Sequence, residues 1–140
     1  MKRDFGLAVA GTRLVLAASA DEKHPPENII DGNMETFWIT TGMFPQEFII
    51  SFANLIQISF MKIHCYNVRS LSIEKSVASD PVDFEPFTKS ELERSEEQLQ
   101  TEEFTQDGTR ATHLRFVIKS GFDHFVSVHK VTVEGTEENA

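Results

Sequence analysis

Between residues 56 and 63 the chain reads Ile56-Gln57-Ile58-Ser59-Phe60-Met61-Lys62-Ile63, which places Ile56, Ile58, Phe60 and then Lys62 on one face. A period of two marks a half-buried strand, because successive side chains of an extended backbone point to opposite faces. Other short runs fit the same reading. Leu14 to Ser19 and Phe48 to Phe52 are apolar; Leu71 and Ile73 share a face within Val68 to Lys75. Leu114, Phe116 and Ile118 share another within His113 to Lys119, and Val126 to Glu134 is β-branched. Turn signals separate these runs at Gly42, Asp80-Pro81, Asp107-Gly108 and Ser120-Gly121. Thr88 to Glu103 is rich in Glu, Lys and Gln, but Leu92, Leu99 and Phe104 are too widely spaced for one helical face. Two polar edge strands are preferred there over a helix. Many short strands without helical alternation predict an all-β protein, an antiparallel β-sandwich.

A chain of 140 residues is about one domain. The expected boundaries are a single domain over 1–136 and a frayed acidic tail over 137–140. A core of this size hides roughly 70% of the unfolded surface without staples. Twelve phenylalanines against one tyrosine predict a dry interior. A net charge of −9 argues against nucleic-acid binding, which needs clustered Lys and Arg, and does not favour anionic membranes. Cys65 is alone, so no intramolecular disulfide forms. Leu7 to Ala20 is interrupted by Gly11, Thr12 and Arg13 and is too short to span a bilayer. The expectation is a cytoplasmic protein with no membrane insertion.

Chemistry concentrates in His24-Pro25-Pro26-Glu27-Asn28-Ile29-Ile30-Asp31-Gly32-Asn33-Met34-Glu35-Thr36-Phe37-Trp38. Prolines, glycine and Asx residues make a loop, which runs into Phe37 and the single tryptophan. Oxygens at such short spacing suit a hard cation such as calcium. They equally suit an Asx-rich turn, with Asp31 and Asn33 capping it and Glu134 solvated. The residues alone leave both open.

Asn28-Ile29-Ile30-Asp31-Gly32-Asn33 followed by Thr36 and Trp38 resembles the opening signature of discoidin-like (galactose-binding-like) jelly-roll domains. Pro45 to Ile50, Leu114-Arg115-Phe116 and Val128 to Gly135 resemble their later strands. The longer run Asp21 to Gly32, with Phe37-Trp38, Thr40 to Phe48, Leu71 to Ser76 and Phe122-Asp123-His124-Phe125, is similar to the intraflagellar transport protein 25 family. That family also carries a small heat-shock-like beta-11 label. The resemblance implies a non-enzymatic subunit of the intraflagellar transport B complex in cytoplasm and cilium or flagellum. It also implies a heterodimer with a Rab-like small GTPase, intraflagellar transport protein 27.

The resemblance further implies a calcium site. Its ligands would be the Asn28 carbonyl, the Asp31 carboxylate, oxygens of Asn33 and Thr36, the Val133 carbonyl and the Glu134 carboxylate. Two carboxylates and four neutral oxygens form a shell of the size calcium takes. For the partner surface, Met43, Phe44, Phe122 and Phe125 are large apolar residues in loops, the residue types favoured at interface cores. The alternative is that they plug the sandwich ends.

Rival classes are a carbohydrate- or lipid-binding discoidin module and a small chaperone. Enzyme readings are weak. Asp123, His124 and Ser127 invite a triad, but no nucleophile elbow accompanies them. His24, His64, His113, His124 and His129 lack paired zinc spacing, and His64 and Cys65 should face opposite ways. Glu91, Glu93, Glu96, Glu97, Glu102 and Glu103 read as a solvated acidic face. Cys65 reads as buried and inert.

Overall fold

The computed structural model describes residues 3–19, 21–41, 43–93 and 99–138. The expected turn at Gly42, together with Glu96 and Glu97, lies outside them. Eight strands form: β1 (Arg3–Asp4), β2 (Arg13–Ala17), β3 (Trp38–Ile39), β4 (Gln46–Tyr66), β5 (Val68–Ser76), β6 (Glu85–Glu91), β7 (Gln100–Gly121) and β8 (Ser127–Glu137). Two 3₁₀ turns, Ala8–Ala10 and Pro26–Ile30, sit before and after β2. Every strand pairing is antiparallel, in the order β1-β8-β4-β7-β5-β6, with β2 on β4 and β3 on β8.

The two runs Phe48 to Phe52 and Ile56 to Ile63 are one strand, β4, that bends between them. Its ladder with β7 is regular from Gln46↔Ile118 to Ser51↔His113, then resumes at Ile56↔Ala111. Unequal lengths between those points force both strands to turn a corner. Their first and second halves therefore serve different layers of an antiparallel β-sandwich. One layer holds β2, β5 and β6; the other holds β1, β3 and β8. Trp38, Phe48 and Phe116 meet between the layers. Trp38 stands edge-on to Phe48 at 5.5 Å, and Phe48 stacks on Phe116 at 4.8 Å.

The alternation in β4 changes phase. Ile56 and Ile58 are buried as expected, but the register slips between Ile58 and Phe60. Met61, Ile63 and Cys65 then face the core, while Phe60 and Lys62 are half-buried on the outside. One extra residue in a strand inverts every side chain beyond it. Outside, the Lys62 ammonium lies 5.9 Å from the Phe60 ring centre and 3.6 Å from Glu103.

β6 is an edge strand, and Gln100 opens β7, whose first part pairs with β4 alone, so both described ends of 88–103 are strand, as expected. β8 continues through Glu137, and Glu138 N–H donates to Leu55 O at 2.9 Å. Strand order therefore includes Glu137, the first residue of the expected tail, and Asn54, Gln57 and Arg110 hold Glu137 and Glu138. At the other terminus Asp4 Oδ1 accepts the N–H groups of Gly6 and Val133, which ties the opening segment to β8.

Candidate metal loop and docking cleft

The loop after Pro26–Ile30 is held by its own oxygens. Asp31 Oδ1 accepts Asn33 N–H at 2.8 Å, and Asp31 Oδ2 accepts the Thr36 hydroxyl at 2.5 Å. Thr36 Oγ1 also lies 3.0 Å from Asn33 O, and Asn33 Oδ1 accepts Glu35 N–H at 2.9 Å. Gly32 makes the turn at φ +78°, a conformation that costs other L-residues about 1 kcal/mol or more. Asn28 closes the loop by donating its amide to Phe37 O at 3.0 Å. Asp31, Asn33 and Thr36 are thus gathered into one exposed cluster of oxygens, with Asn28 at the loop's base.

Val133 and Glu134 lie on β8. Phe5 N–H donates to Val133 O at 2.7 Å, and Glu134 pairs with Asp4. A Cβ on Gly32 would sit 3.2 Å from Leu7 Cδ2. The loop and the end of β8 therefore touch the same short segment, 4–7, at one end of the molecule. A second link had no local sequence signal. His129, on β8, bonds Met34 O through Nδ1 at 2.9 Å, and its ring stacks on Phe37 at 4.7 Å. His24 stacks on Phe37 at 4.3 Å from the other side.

These donors are all oxygens, two of them carboxylates, and so fit the chemistry of a hard cation. An oxygen that accepts one N–H keeps a second lone pair. The same bonds also satisfy an Asx-rich turn without metal. Among the described residues no three His, Cys, Asp or Glu side chains gather as a metal cluster.

A second feature is a cleft of about 700 Å³ lined by Thr40, Thr41, Met43, Phe44, Ser120, Gly121, Asp123, His124 and Phe125. Two loops meet there because Thr40 N–H donates to Val126 O and Val126 N–H to Thr40 Oγ1, both at 3.1 Å. Met43 is 89% exposed and Phe125 40% exposed, while Phe44, before the cis Phe44–Pro45 bond, packs on the core. Phe122 is absent from the lining; the Arg69 guanidinium lies 5.9 Å from its ring centre. The cleft thus gathers Met43, Phe44 and Phe125, and sets Phe122 beside it.

The weaker candidates disperse. Cys65 is buried, and burial pushes its thiol up to about 12, so it stays protonated at neutral pH. His64 faces the other way, as strand alternation requires. Asp123 Oδ1 accepts the His124 backbone N–H, and Ser127 is buried on β8. Glu102 accepts the Ser90 hydroxyl, and Glu91 and Glu93 are exposed. Among the described residues no helix is long and apolar enough to cross a membrane.

No family model matches the chain. A human protein named intraflagellar transport protein 25 homolog is 56% identical over 135 residues, covering 96% of this chain and 94% of its own length. The chain belongs to the intraflagellar transport protein 25 family. Within this family the mouse homolog is 54% identical, with 96% of this chain and 94% of its own length covered. Intraflagellar transport protein 25 of Chlamydomonas reinhardtii is 39% identical, covering 95% of this chain and 70% of its own. Among solved structures, the family 32 CBM of Clostridium perfringens NanJ, in complex with galactose, superposes with TM-score 0.78. It is 16% identical, over 96% of this chain and 99% of that one. The C-terminal domain of a Bacteroides fragilis chitobiase gives TM-score 0.80 at 17% identity, over 98% and 100%. At such identities the likeness establishes the fold, a discoidin-like β-sandwich, and nothing about ligands.

Proposed function

We propose that the chain is a non-enzymatic adaptor of the intraflagellar transport B complex, working in cytoplasm and cilium or flagellum. Its cleft at Met43, Phe44 and Phe125 docks a Rab-like small GTPase, intraflagellar transport protein 27. Family membership at 56% identity supports the transport role. One observation supports the surface: Met43 stands 89% exposed on the rim of the cleft that it shares with Phe44 and Phe125. A large apolar group held in water by a braced loop favours association, and such anchors carry most of an interface's energy. Asp31, Asn33 and Thr36, with Asn28, Val133 and Glu134, would hold calcium as a structural clamp; when bound it would supply positive charge among those oxygens and pin the loop to the closing strand.

Co-purification with the GTPase tests the reading. Met43→Ala with Phe125→Ala should weaken binding at least ~30-fold, as loss of a hot spot of about 2 kcal/mol would. Phe44 is left alone in that pair because it also packs on the core. Undiminished binding by a folded double variant would remove the cleft from the interface.

Sugar binding is the second reading, favoured by the galactose complex of the NanJ module. Against it, Trp38 is fully buried and Arg69 lies under Phe122 rather than in the cleft lining. A glycan array with hits lost in Phe125→Ala would support sugar binding and displace the adaptor role from this cleft.

A further inference from the structure

Five strands have an open flank among the described residues, and four of these are guarded; one is the first part of β7, which pairs with β4 alone up to Ala111 and carries Glu102, Glu103 and Arg110. β1 and β3 are two residues each. β6, at the end of the strand order, carries Glu85, Pro86, Lys89 and Glu91. Short length, proline and charge are the usual means of keeping a sheet edge from pairing with another chain. β2 differs. It pairs with β4 alone and holds Arg-Leu-Val-Leu-Ala, with one charge and no proline. Val15 and Leu16 are 38% and 43% exposed. The cause is the break in register between Leu14 and Leu16, where an extra residue interrupts the alternation and leaves two successive side chains outside.

Beyond that break the ladder is regular. Leu16 pairs with Ile49, Ala17 with Phe48, and Ala18 N–H donates to Glu47 O at 2.8 Å. Because Ala18 turns its N–H toward β4, alternation aims the N–H and C=O of Ala17 at the open side. This edge runs into the cleft. Ser19 Oγ donates to Gln46 Oε1 at 2.7 Å and accepts Thr41 N–H at 2.9 Å, and Thr41 lines the cleft.

We propose that the partner docks by strand addition: an extended segment pairs with β2 at Leu16 and Ala17, stopping short of Ser19, whose C=O already accepts Trp38 Nε1–H at 2.9 Å, while an apolar side chain of the same partner enters the cleft. The inference rests on the cleft reading above and says how the partner is held. Backbone pairing on a sheet edge supplies affinity, and pockets for alternate side chains supply specificity. The occupant is a partner chain rather than a second copy for two reasons. So short a strand contact falls far below the roughly 1,200–2,000 Å² of a stable interface, so the cleft must contribute. Two copies at −9 each also repel, whereas a neutral or basic segment complements that charge.

The test uses the full chain and the purified GTPase. Val15→Lys with Leu16→Lys puts charge on an exposed edge, and a thermal melt checks that the fold is kept. Binding should fall at least tenfold, and the Ala17 amide should exchange at least tenfold more slowly in the wild-type complex than in the free chain. Wild-type binding by the Lys variant, or an Ala17 amide unprotected in the complex, overturns strand addition. If Met43→Ala/Phe125→Ala still loses binding in that case, the cleft reading survives alone. If the wild-type chain fails to bind the GTPase at all, the adaptor reading fails first. Sedimentation of the free chain should show a monomer; a dimer abolished by Val15→Lys/Leu16→Lys would assign the edge to a second copy and overturn the proposal.

Discussion

The side chain of Gln100 does the work of a neighbouring strand at Val68. Its Nε2 donates to Val68 O at 2.7 Å, and its Oε1 accepts Val68 N–H at 2.9 Å. The same amide nitrogen reaches Glu93 O at 2.9 Å. Both residues are buried, so Gln100 satisfies backbone groups where β4 hands over to β5.

Gln100→Leu should therefore cost about 2–4 kcal/mol. It removes a group of similar size but leaves the Val68 N–H and C=O buried without partners, each worth about 1–3 kcal/mol. Urea denaturation measures this directly. A loss under about 0.5 kcal/mol would mean that water or a backbone shift replaces the amide.

Close packing of strands makes two glycines irreplaceable for reasons unrelated to backbone freedom. A Cβ at Gly135 would lie 2.0 Å from Gln57 O, and one at Gly6 would lie 2.0 Å from Val131 O. Gly135→Ala must push β8 away from β4 and should destabilise by about 3 kcal/mol or more, as overpacking does in its severe cases. At Gly108 a Cβ would meet nothing nearer than 3.8 Å, so Gly108→Ala should cost only the strain of its φ of +72°, about 1 kcal/mol. Equal losses in the two variants, read from chemical denaturation, would refute this steric ranking.

Calcium is expected to raise the melting temperature. A ligand that binds only the folded chain stabilises it by about 2.7 kcal/mol at a hundredfold excess over its Kd. Chelator should remove the gain. Asp31→Asn, which keeps an acceptor for Asn33 N–H, should abolish the calcium response while leaving the chelated melt nearly unchanged. Identical wild-type melts with calcium and with chelator would leave the loop as an Asx-rich turn.

Acid should weaken the fold through His64. Burial first, then Lys62, Lys130 and His129, lower its pKa from 6.5, with Glu103 opposing. Its buried Nδ1 has no hydrogen-bond partner. The folded chain therefore resists a proton that the unfolded chain accepts. Stability from this group is complete above pH 6.5 and is lost as pH falls below it toward the lower folded value. His64→Gln should flatten the drop in melting temperature between about pH 7 and pH 5. An unchanged slope would assign the acid sensitivity elsewhere.

What the sequence determined by itself was the β class, the loop at 24–38, the burial of Cys65, and the family. Each is written locally: alternation is a period-two pattern, turns are particular residue types, and the loop motif is contiguous. Tertiary structure alone decided the rest. The slip at Ile58–Phe60 depends on how β4 meets both β7 and β8, so the face of Phe60 and Lys62 could not be read from spacing. Glu138 is held by Leu55, Gln57 and Arg110, which the chain order sets far away. The grouping of Met43 with Phe125, and the bond from His129 to Met34 across 95 positions, exist only because the strands fold back. Sheets are built from non-local pairings, so an edge left open at β2 becomes visible only once every other strand has found its neighbour.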